Sequence, residues 1–137
     1  MKRIVYLILI STLLVSCYRH SGRRVSREYD FSVKVVSITD GDTFRGLTQD
    51  STEVRFRIHG IDAPERKQPF SQKSKQYLSN LIYNKMVGVV VQTERDRYGR
   101  PVVWVYTPDG RDVSAEMIKS GIAWHSKQYS DDENYAR

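Results

Sequence analysis

The chain has 137 residues with one cysteine and three histidines, which suits one domain and excludes an internal disulfide and a Cys/His zinc cluster. It carries 22 Lys and Arg against 16 Asp and Glu, a formal charge of +6. That balance points to polyanionic partners, nucleic acid or a membrane surface.

Residues 1–16 do not read as domain material. Lys2 and Arg3 precede an apolar run from Ile4 to Val15. The run is too short to span a bilayer, which takes about 20 residues, and fits the h-region of a secretory signal. It closes on Leu14-Val15-Ser16-Cys17, which resembles the lipobox of bacterial lipoproteins and makes Cys17 the expected lipidation site. The alternatives are an ordinary signal peptide or an uncleaved anchor. Residues 17–28, with Arg19, Arg23, Arg24 and Arg27, read as a basic tether. Residues 29–137 are then the folded domain, exported and held at the cell envelope.

Within it, Phe31, Val33 and Val35 alternate and Ile38 falls out of phase, which predicts a strand with a bulge. Asp40-Gly41 makes a turn into a second strand, Thr43 to Leu47. Val54, Phe56 and Ile58 alternate with charged residues in a third. Leu78, Leu81, Ile82 and Met86 share one stripe of a helix expected over residues 70–86. Strands follow over Val87 to Val91 and Pro101 to Tyr106, then a short helix over Asp112 to Ser120, closed by Gly121. His125 is expected in a turn, and Trp104 and Trp124 in packing roles. Five short strands with a helix after the third predict an α+β, mainly β architecture: a small OB-fold barrel, a type that often binds oligonucleotides.

Two turns concentrate acid, Asp40-Gly41-Asp42-Thr43 and Asp62-Ala63-Pro64-Glu65. Hard oxygen donors from two loops suit Ca²⁺. Taken singly, the first is as well explained as an Asp-Gly hairpin turn, so a metal site requires that the turns meet. Arg57 and Arg100 fall near these turns and make a candidate phosphate site, since guanidinium binds phosphate oxygens bidentately. Alternatively each arginine pairs with a neighbouring acid.

Four blocks in order, "TDGDT", "FRIHGIDAPE", "DRYGR" and "SGIAW", resemble the staphylococcal-type nuclease, or thermonuclease, family from about Val33 to Tyr129. The resemblance implies Ca²⁺-dependent hydrolysis of DNA and RNA with low sequence specificity and 3′-phosphate ends. It makes Asp42 and Asp62 the metal-ligating carboxylates, Ala63 a ligand through its backbone carbonyl, and Asp40 a nearby supporting acid. Glu65 is implied to activate the attacking water, and Arg57 and Arg100 to bind the phosphate. Arg97, Tyr98 and Tyr129 are implied to contact the nucleotide. At Lys127 the family's usual aromatic is missing. Ser130 to Glu133 form a capping box, yet few residues follow, so the family's terminal helix is expected to be truncated. A monomer is expected. The competing readings are an OB-fold lipoprotein that binds nucleic acid without cleaving it, and an envelope interaction protein.

Overall fold

The computed structural model describes residues 27–126. The elements are β1 (Phe31–Asp40), β2 (Thr43–Leu47), β3 (Glu53–Ile58), β4 (Ile61–Asp62), α1 (Ser71–Ile82), β5 (Met86–Thr93), β6 (Val102–Tyr106), α2 (Val113–Lys119) and β7 (Trp124–His125). Five strands close a barrel in the order β1-β2-β3-β6-β5, and β4 pairs with β7 outside it. Neighbours in the barrel are antiparallel except β3 and β6, which run parallel with Arg57 opposite Val102. This is the expected five-stranded OB-type barrel with helices.

Alternation fills the interior. Phe44 and Phe56 pair across β2 and β3, and their rings stack at 5.2 Å. Val33, Val35, Val87, Val89, Val103 and Val105 are fully buried around them. Each such side chain stabilises the fold by roughly 1.5–3 kcal/mol relative to exposure. The expected bulge in β1 is present as two register shifts, between Val35 and Ser37 and between Ile38 and Asp40. An extra residue reverses which face the next side chain takes, so the out-of-phase Ile38 is still buried. Leu78, Leu81 and Ile82 of α1 and Val113 and Met117 of α2 join the same core.

Helix α1 is shorter than its apolar stripe suggested. Phe70 before it is left-handed, φ 66°, and Tyr83 after it is extended, ψ 136°. Asn84 then takes φ 58°, a conformation asparagine tolerates, and the chain turns into β5. Met86 is therefore not on the helix: it opens β5 opposite Lys34 and is half exposed. Asp112 caps α2, its carboxylate accepting from the Ser114 N–H at 2.8 Å, and Gly121 ends it at φ 74°. His125, expected in a turn, lies in β7. His59 is buried and packs on Trp104 with 4.4 Å between ring centroids.

Candidate active site

The two acid turns meet. The first joins β1 to β2, and the second follows β4. The Ala63 N–H donates to an Asp42 carboxylate oxygen at 3.1 Å, and the Ile58 N–H donates to the Asp42 carbonyl at 2.8 Å. Gly41 makes this closeness possible. A Cβ there would stand 2.6 Å from the Ala63 Cβ and 1.9 Å from Ser74 Oγ on α1. Gly41→Ala should therefore force the turns apart and destabilise by about 1–3 kcal/mol. Ser74→Ala should act oppositely by about 1 kcal/mol, because the buried Ser74 hydroxyl has no hydrogen-bond partner among the described residues. Urea midpoints moving in the same direction for both variants would contradict this packing account.

Arg57 ties the carboxylates together. Its Nη2 lies 2.5 Å from Asp62 Oδ1 and 3.5 Å from Asp42 Oδ2, and its Nη1 donates to the Ile58 carbonyl at 2.7 Å. Asp42 and Asp62 thus flank one nitrogen. Asp40 stands behind, accepting from the Asp42 N–H at 3.2 Å. Burial pushes the Asp42 carboxyl up to about 6; Arg57 opposes this and the neighbouring Asp40 adds to it. One guanidinium does not compensate the acid gathered here.

Arg100 is held on the other wall by a residue that sequence reasoning left without a role. Its Nε and Nη2 contact the Asp96 carboxylate at 2.9 and 2.8 Å, while Asp96 also accepts from the Tyr98 and Arg100 N–H groups, each at 2.9 Å. Burial works to raise the Asp96 carboxyl, but these donors and the Arg100 charge hold it below the usual carboxylate range. An Asp three residues before a glycine was the available signal, since that pattern closes a turn on its own backbone. Arg100 Nη1 also reaches Thr43 Oγ1 at 3.3 Å, and Thr43 Oγ1 donates to Asp42 at 2.9 Å. One polar chain thus links the arginine to the acid turn.

Asp40, Asp42, Arg57, Asp62 and Arg100 line one open cleft of about 670 Å³, bordered by five arginines and four acids together with Tyr98 and Trp124. Of the residues expected from sequence, Asp40, Asp42, Arg57, Asp62, Ala63, Glu65, Arg97, Tyr98 and Arg100 all border it. Among the described residues the Glu65 carboxylate has no ion pair or hydrogen bond. Its backbone N–H is fixed by the Gln68 side chain at 2.7 Å. Trp124, expected as packing, is instead 52% exposed in the cleft, because β7 carries it alongside Asp62. Tyr129, Lys127, the capping box and Cys17 lie outside the described residues.

Residues 55–137 match the family profile described as staphylococcal nuclease homologue. The chain belongs to the staphylococcal nuclease family. A protein of Haemophilus influenzae named an uncharacterized endonuclease is 40% identical over 129 residues, 94% of this chain and 66% of its own length. One of the same name from Escherichia coli O157:H7 is 41% identical over 103 residues, 75% of this chain and 66% of its own. The micrococcal nuclease of Shigella flexneri is 38% identical over 108 residues, 73% of this chain and 61% of its own. The chain thus spans about two thirds of the length of these relatives. The profile match begins after the Asp40–Thr43 turn, whereas the Haemophilus match is long enough to include it.

The family is metal dependent, and the donor set of this nuclease fold fits a hard cation. No three acidic, His or Cys side chains cluster as a ready cage among the described residues. What the structure provides is two carboxylates drawn to one guanidinium nitrogen of Arg57 and an Asp42 whose carboxyl burial and Asp40 push up, a penalty a divalent ion would relieve.

Proposed function

We propose that the chain is a Ca²⁺-dependent phosphodiesterase that cleaves DNA and RNA with little sequence preference and leaves 3′-phosphate ends. The observation that carries this reading is the convergence of Asp42 and Asp62 on Arg57 in a cleft that also exposes Glu65, unpaired among the described residues, and a braced Arg100. Neither a structural ion pair nor simple binding of nucleic acid requires that set together.

Asp42, Asp62 and the Ala63 carbonyl would hold the ion, with Asp40 behind them. Bound there, it supplies neutralisation of phosphate charge. The remaining work belongs to side chains. Arg57 and Arg100 bind phosphate oxygens and stabilise the extra charge that develops on them. Glu65 accepts a proton from water as its oxygen bonds to phosphorus, the bond to the 5′-oxygen breaks, and that oxygen takes a proton from solvent. Pro64 restricts the backbone between Asp62 and Glu65, which limits drift in their spacing. Asp96 holds the Arg100 guanidinium through two contacts, so that binding substrate need not order it. The apolar run ending at Cys17 supports a further proposal, that the domain acts at the cell envelope on a lipid anchor.

The test is cleavage of single- and double-stranded DNA and of RNA with Ca²⁺ and with chelator, followed by end analysis. Cleavage with Ca²⁺ alone and 3′-phosphate products are expected. Salt-sensitive binding without cleavage in any divalent ion would leave a binding module instead.

A further inference from the structure

The cleft exposes two aromatic side chains, and they differ in what covers them. Tyr98 is 67% exposed but lies against two guanidiniums, Arg97 at 4.8 Å and Arg100 at 5.1 Å from its ring centroid. Among the described residues no cation, ring or hydrogen-bond partner covers the Trp124 indole.

Trp124 is also anchored. In β7 it pairs with Asp62, His125 pairs with Ile61, and the Ser126 N–H donates to the Gly60 carbonyl at 3.0 Å. Ala123 before it is buried in the core. Residues directly paired across antiparallel strands project from the same face, with Cβ atoms roughly 5 Å apart. The indole therefore stands beside Asp62, next to Arg57. A large ring left half in water among charges does little for stability. A fixed ring with an open π-face beside phosphate-binding cations is what a nucleobase stacks on.

Resting on the nuclease reading above, we propose that Trp124 is a substrate-contacting residue that stacks on the nucleobase flanking the phosphate held by Arg57 and Arg100. The contact is sequence-tolerant, because every base has a π-face, but it requires a base. It makes the site discriminate a nucleotide from a bare sugar-phosphate chain, and a base whose faces are already stacked must first leave its neighbours.

The experiment is a cycle between the side chain and the base. KM and kcat are measured for the full-length protein, Trp124→Phe and Trp124→Leu on a single-stranded oligonucleotide and on one of equal length with stable tetrahydrofuran abasic residues. Trp124→Leu should raise KM about tenfold on the base-bearing strand with kcat nearly kept, and Trp124→Phe should raise it less. On the abasic strand the unaltered protein should already show the raised KM, and Trp124→Leu should add nothing. A second readout needs no variant: the base-bearing strand should quench tryptophan emission and the abasic strand should not, with Trp104, packed on His59, as a constant background. Equal KM increases on both strands, or quenching by both, would overturn the stacking role while leaving the nuclease reading intact. Failure of the unaltered protein to bind either strand would overturn both.

Discussion

Asp42→Asn is expected to raise the stability of the ion-free protein and to cut cleavage sharply. The folded chain holds this carboxyl near 6 against 3.8 for an ordinary aspartate. Because the folded-state value is the higher one, ionising Asp42 costs no stability below pH 3.8. The cost grows as pH rises towards 6 and is complete above it. At about 1.4 kcal/mol for each unit, the burden at pH 8 is about 2–3 kcal/mol. Asparagine removes it while keeping an oxygen to accept from the Ala63 N–H. Arg57 keeps Asp62 as a partner, so little is lost in exchange. Urea unfolding without ion should show the variant more stable at pH 8 and nearly equal to the parent at pH 3.5. Activity should fall by about 10³-fold, since an ion site worth several kcal/mol loses a charged ligand. The parent should gain stability from Ca²⁺ and lose ion affinity as pH drops through about 6, where a proton competes for Asp42; the variant should show neither. A variant less stable than the parent at pH 8 would refute this account of the site.

Glu65→Gln is expected to lower kcat by about 10²–10⁴-fold without changing the fold. The side chain is exposed and unpaired among the described residues, so its replacement disturbs no contact, and its loop is held through backbone bonds to Gln68. Stability should stay within about 0.5 kcal/mol of the parent and KM for DNA should be nearly kept, because phosphate binding rests on Arg57 and Arg100. Turnover by the variant at the parent's rate would remove the base role from Glu65. Together the two substitutions separate the ion from the proton transfer: one changes stability and its dependence on pH and Ca²⁺, the other changes only turnover.

Much of the fold was legible because its signals are local. The alternation in β1 and β3, the stripe on α1 and the glycine after α2 each reflect a backbone period or a single dihedral preference. Even the bulge in β1 left a mark, the displaced Ile38. The end of α1 was less legible, since a leucine-rich stripe does not register that Asn84 will take a left-handed conformation. The site was legible as two acid turns and two arginines, but their partners were not. Asp96 looked like one acid among several until the loop placed it under Arg100. Trp124 looked like core because large aromatics usually are.

The amino-acid sequence alone determined the barrel, its charged strand faces and the stock of oxygen donors and guanidiniums, because those depend on neighbours a few positions apart. Only the tertiary structure decided which of them face one another. Ala63 reaches Asp42 across a contact that glycine alone permits, and β7 sets Trp124 beside Asp62 from more than half the domain away. A two-residue strand has no period to read, and backbone hydrogen bonds between distant segments carry no side-chain signature, so such pairings emerge only when the chain closes on itself.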